Sequence, residues 1–186
     1  MKIVVKIGGA ALEDKSTLRK CAHAVVELAR DGHCVAVVHG GGTALTRTLK
    51  LLGKETEFIN GLRITDAETR DVALMVLAGI VNKHLVAEIV SAGYPAMGLC
   101  GGDGMAFRAR KKQTPGYDLG YVGEISSVEP RWLEAIWAQG GIPRPVFGGA
   151  GFRRRILQHQ CRPNGRRLCR GLPCRYSGFP HRCTGR

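Results

Sequence analysis

Two glycine-rich turns, Gly8-Gly9 and Gly40-Gly41-Gly42, each follow a short apolar run. Glycines at strand ends let backbone N–H groups approach an anion closely, and a helix N-terminus beyond them favours negative charge. Both turns would lie at the carboxyl edge of a sheet, where open α/β folds place ligands. Plain tight turns are the alternative. Neither turn is a Walker A loop, since Gly-Lys-Ser/Thr is missing, and the dinucleotide glycine pattern is absent too. Lys6 lies one residue short of the first turn, inside an otherwise apolar run. Desolvating an ammonium costs several kcal/mol unless an anion meets it, so Lys6 reads as a phosphate-facing group. Its even spacing from Lys2 leaves a solvent-facing pair open. Arg63 precedes a helix that Thr65 or Asp66 can cap, and its planar fork can grip a carboxylate. A surface arginine is the alternative. His39 reads as a satisfied core histidine rather than a base, and Asn82-Lys83 is ambiguous.

The elements around these residues alternate. Lys2 to Ile7 reads as a buried strand, followed by a helix from a Ser16 cap to about Arg30. A second strand over 34–38 leads into the triple glycine, and a helix over 43–52 stops at Gly53. Asp66 opens a long helical stretch ending at Gly93, and a third strand over 96–99 is closed by Gly101-Gly102. Residues 117–128 look like a hairpin, and 131–139 like a short helix. Strands alternating with helices predict an α/β fold with a mostly parallel sheet between two helical layers, a three-layer sandwich.

Composition adds a boundary. The net charge of +13 resembles a nucleic-acid signal until it is located. Up to Gly151 there are 18 Lys and Arg against 15 acidic residues, whereas 152–186 holds ten Arg and no Lys, Asp or Glu. Four of the seven cysteines, Cys161, Cys169, Cys174 and Cys183, lie in that last stretch. No apolar run approaches the roughly 20 residues of a membrane span, and no leader-like segment opens the chain, so the expected setting is cytoplasmic with no membrane partner.

The blocks Lys6-Ile7-Gly8-Gly9, Val38-His39-Gly40-Gly41-Gly42 and Asn60-Gly61-Leu62-Arg63-Ile64-Thr65-Asp66 resemble acetylglutamate kinase motifs, in family order. Met75-Val76-Leu77-Ala78-Gly79 with Val81-Asn82-Lys83, then Leu119-Gly120-Tyr121-Val122-Gly123-Glu124, continue the resemblance. Carbamate kinases, glutamate 5-kinases, aspartokinases and uridylate kinases share the fold and the first two loops; the Leu62–Asp66 and Val81–Lys83 blocks separate this chain from them. The resemblance implies the amino acid kinase fold with its C-terminal half missing. It implies ATP, taken with Mg²⁺, and N-acetyl-L-glutamate as substrates of a phosphotransferase in arginine biosynthesis. Lys6 would be the catalytic group, stabilising charge on the phosphoryl group in transfer. Gly8 and Gly9 would surround ATP phosphates, while Gly41, Gly42 and Arg63 would hold acetylglutamate, Arg63 at its α-carboxylate. The chain opens directly on its first strand, which favours the simple homodimer type. A carrier-linked aminoadipate kinase has overlapping motifs.

Residues 1–143 carry this resemblance, and 144–186 do not. Read one base later, codon choices for Arg153 to Gly165 spell DGEFYNINADQMA, which resembles the family's missing Asn-Ala-Asp segment. The tail is therefore expected to be out of frame and disordered, the slip falling between about Pro143 and Arg153. The chain is expected to be poorly soluble and inactive. The competing reading is a basic tail binding nucleic acid or, through its four cysteines with His159 and His181, zinc. The cysteine spacing lacks a paired Cys-x2-Cys, and aromatic interleaving is sparse.

Overall fold

In the computed structural model, the described residues are 1–151 and 155–159, with side chains up to Val146. Strand β1 (Lys2–Ile7) is apolar and β-branched apart from Lys2 and Lys6, and it pairs in parallel with β2 (Cys34–His39), Lys6 standing opposite Val38 and Ile7 opposite His39. Between them run a five-residue helix α1 (Gly9–Glu13) and α2 (Lys15–Arg30). Asp14, not Ser16, caps α2, its carboxylate accepting from the Thr17 N–H at 2.6 Å. A carboxylate at that position also complements the positive end of the helix. Leu18, Ala22, Val25, Val26 and Ala29 form the buried stripe of α2.

Helix α3 (Gly42–Leu51) follows β2, and a two-residue hairpin of β3 (Phe58–Ile59) and β4 (Leu62–Arg63) leads to Asp66, which caps α4 (Ala67–Leu74). The helix continues through a π-helical stretch, Met75–Val81, into α5 (Asn82–Ser91). The 25 residues of Ala67–Ser91 are long and apolar enough to cross a membrane by length and composition, contrary to the expectation from sequence. Here Val72, Ala73, Val76 and Val81 bury against α3, while Leu85 and Ile89 join the core beneath α2.

The second half of the sheet is mixed. Strand β5 (Ala96–Gly101) pairs in parallel with β8 (Ile142–Gly151), which lies beside β2 and also pairs with β6 (Phe107–Lys111). The antiparallel hairpin is β6 with β7 (Val122–Val128), so the partner of β7 lies upstream of Tyr117 and not within 117–128. Helix α6 (Pro130–Ala138) covers one face, packing Leu133 and Ile136 on Val4, Ala36, Val38 and Phe107. Helices α2 and α5 cover the other face. The three-layer α/β architecture with a parallel centre is thus as expected. Strand β8 runs eight residues past Pro143, and β9 (Arg155–His159) pairs with it. The remainder of the expected disordered tail, with Cys161, Cys169, Cys174, Cys183 and His181, lies outside the described residues.

Candidate active site

Parallel pairing of β1 with β2 puts both glycine turns at one sheet edge, and they touch. A Cβ on Gly40 would meet the Gly9 nitrogen at 3.3 Å, so the loops approach closely enough that any side chain there would press on the first loop. The Gly40 N–H donates to the Ile7 carbonyl at 3.1 Å, fastening the second loop to the end of β1. Gly41 has φ +148°, and a Cβ there would stand 2.6 Å from Leu77 Cδ2 in the π-helical stretch. Gly41→Ala is therefore strained chiefly by its backbone, since Leu77 Cδ2 is the movable end of a side chain. It is expected to cost about 2–3 kcal/mol and lower the thermal midpoint by several degrees in a circular-dichroism melt.

Side chains alternate along β1, so Lys6 shares a face with Val4 and Lys2, the face α6 covers. Lys2 is spoken for: its ammonium pairs with Glu134 at 2.9 Å and lies over the Trp137 ring. Lys6 is half-buried and has no ion pair or side-chain hydrogen bond among the described residues. A half-buried ammonium without a carboxylate beside it is suited to an incoming anion.

Arg63 is buried at the end of β4 rather than on the surface. Its Nη2 donates to Thr46 Oγ1 at 2.8 Å, and Thr46 Oγ1 donates in turn to the Gly42 carbonyl at 2.9 Å. One hydroxyl on α3 thus ties the arginine to the second glycine loop. Nothing in the sequence singles Thr46 out, because the link depends on where the β3–β4 hairpin folds back. Phe58 lies over the Arg63 guanidinium at 4.6 Å. Burial pulls the Arg63 pKa down, yet an arginine keeps its charge in proteins.

The motif around Arg63 is held by the segment that follows β6. Thr65 is buried; its N–H donates to the Leu119 carbonyl at 3.0 Å, and its carbonyl accepts from the Tyr121 N–H at 2.7 Å. Gly120, at φ +68°, packs so closely that a Cβ would fall 2.2 Å from the Thr65 carbonyl oxygen. Arg70 stacks on Tyr121 at 4.5 Å. Asp66 caps α4, and Lys54, followed by its Thr69 contacts, holds its carboxyl down at about 2.

His39 is buried at the end of β2. Its ring hydrogen-bonds through Nδ1 to the Gly40 carbonyl at 2.6 Å, while Nε2 has no partner among the described residues. It is a core histidine, half satisfied. Burial, then the charge of Arg144, holds its pKa down at about 3. Asn82, ambiguous in sequence, is buried with its amide donating to the Arg144 carbonyl at 3.2 Å. Among the described residues no group of three or more His, Cys, Asp and Glu is placed to hold a metal.

Comparison with known proteins bears on the family and the fold. Residues 1–158 match the profile of the amino acid kinase family. The chain is 65% identical over 143 residues to an acetylglutamate kinase of Acidobacterium capsulatum, covering 77% of this chain and 55% of that relative. It is 57% identical over 143 residues to an acetylglutamate kinase of Koribacter versatilis, covering 77% of this chain and 54% of that protein. The chain thus spans about half the length of the curated relatives it matches. Among solved structures, N-acetylglutamate synthase of Neisseria gonorrhoeae, complexed with coenzyme A and N-acetyl-glutamate, superposes with a TM-score of 0.71. The two share 23% identity, and the match covers 86% of this chain and 36% of that one, a likeness of fold.

Proposed function

Since the chain belongs to the amino acid kinase family, we propose that it carries the acylated-amino-acid site of an acetylglutamate kinase, which transfers the γ-phosphoryl of ATP to the side-chain carboxylate of N-acetyl-L-glutamate. The observation that carries this reading is the hydrogen-bonded line from Arg63 through Thr46 to Gly42. It ties a guanidinium that could grip a carboxylate to the second glycine loop, and that loop lies against Gly8-Gly9 at the end of the strand that carries Lys6.

In such a transfer a carboxylate oxygen attacks the γ-phosphorus, the bond to the β-γ bridging oxygen breaks, and an acylphosphate and ADP leave. Little covalent work falls on the protein; positioning and neutralisation of charge carry the rate. Arg63 would fix the α-carboxylate and the Gly41 and Gly42 amides would orient the rest of the substrate. Gly8 and Gly9 amides would receive ATP phosphates, and Lys6 would offset charge on the transferring group. Mg²⁺ taken up with ATP would supply further neutralisation of its phosphates. The complete enzyme is proposed to act as a cytoplasmic homodimer.

The 186-residue chain is proposed to bind N-acetylglutamate but not to turn it over, because residues 144–186 lack the motifs that follow in the family. Saturation-transfer NMR with N-acetylglutamate, glutamate as control, is expected to show selective binding. Hydroxylamine trapping with ATP present is expected to yield no hydroxamate. A folded chain with no preference for N-acetylglutamate would overturn the substrate assignment, and hydroxamate formation would overturn the inactivity.

A further inference from the structure

The peptide that joins the two glycine loops is Gly40. Its N–H is bonded to the end of β1, its Cα leaves only 3.3 Å between a would-be Cβ and the Gly9 nitrogen, and its carbonyl meets the ring of His39 at 2.6 Å. A carbonyl oxygen can only accept, so the ring must donate, and Nδ1 carries the proton. Nε2 is then the bare nitrogen, which fits its lack of any partner among the described residues. We propose that His39 is a positioning residue: by donating Nδ1–H to the Gly40 carbonyl it sets the orientation of the Gly40 peptide, and with it the spacing of the two glycine loops.

Two features favour this over a passive core ring. A glycine at the joint has no side chain to restrict its own rotation, so its orientation must come from bonds at both ends. Strand β1 supplies one bond and His39 the other. The ring is also locked in one state. Burial and the nearby guanidinium of Arg144 keep it neutral through the physiological range, so the donated bond does not switch with pH there. His39 would then act on substrate through the loops, touching neither ATP nor acetylglutamate.

The effect on ligand binding rests on the substrate assignment above; the effect on loop geometry does not. Three measurements on the 186-residue chain separate them. The ¹⁵N spectrum of labelled His39 should show Nδ1 protonated and Nε2 bare from pH 5 to 8; the opposite tautomer overturns the inference, and this readout needs no variant. In ¹H–¹⁵N spectra, His39→Leu should displace the Gly9, Gly41 and Gly42 amides. His39→Asn, whose amide nitrogen takes the place of Nδ1, should restore them. Equal spectra for the two variants would overturn the inference. By NMR titration, His39→Leu should weaken N-acetylglutamate binding by about fivefold or more, as expected for one lost hydrogen bond, and His39→Asn should recover most of it. Wild-type chain that binds no N-acetylglutamate, yet shows the tautomer and the glycine shifts, would sink the substrate assignment and leave the positioning role standing.

Discussion

Arg144→Met is expected to raise the melting temperature of this chain by roughly 5–10 °C. Arg144 sits on β8 fully buried, and no carboxylate is paired with it among the described residues. Among the described residues its guanidinium reaches only backbone carbonyls, Asn82 closely and Val81 at 3.5 Å, and Nε has no partner. Burial pulls its pKa down to about 9. Replacing buried ionic groups with well-fitting apolar ones stabilises proteins by about 1–4 kcal/mol, and 1 kcal/mol moves the midpoint by about 2–4 °C at this size. Methionine follows the arginine stem without branching and leaves little cavity. A variant less stable than wild type at pH 7 would show that the guanidinium is a net stabiliser of β8.

That arginine also clarifies what the sequence could and could not reveal. The glycine turns and the strand–helix alternation were legible because turn chemistry and periodicity are local, and β1, β2 and the long helix stand where they were expected. The hairpin was misplaced because its first strand, Phe107–Lys111, is dominated by charge, and its partner returns only after ten intervening residues. Ser16 was the wrong cap because Asp14, two residues earlier, offers an anion to the same helix start. Arg63 could not be told from a surface arginine: its burial depends on Thr46 and Phe58, neither adjacent in sequence to it. Strand β8 carries Arg144 and Pro145 where a central strand accepts apolar residues with free N–H groups. Both lie inside the stretch 1–158 that the family profile matches.

Arg63→Lys is expected to weaken N-acetylglutamate binding by about 30- to 100-fold, with the fold retained. The charge survives this change but the geometry does not. A lysine has no planar fork to hold both oxygens of a carboxylate, and cannot at once keep the 2.8 Å bond to Thr46 and the stacking beneath Phe58. Losing a charge-assisted bidentate contact costs about 2–3 kcal/mol, which is the stated change in affinity. Affinity alone would not identify the oxygen pair that Arg63 meets, so the partner is changed as well. The α-methyl ester of N-acetylglutamate removes the proposed contact from the ligand side and should bind wild-type chain about as weakly as N-acetylglutamate binds the lysine variant. In that variant the ester should cost little more. The four titrations close a double-mutant cycle, and a coupling of about 1.5–3 kcal/mol between Arg63 and the α-carboxylate is expected. Additive losses, with matched melting curves for the two chains, would place the α-carboxylate elsewhere and leave Arg63 as the structural tie between β4 and α3.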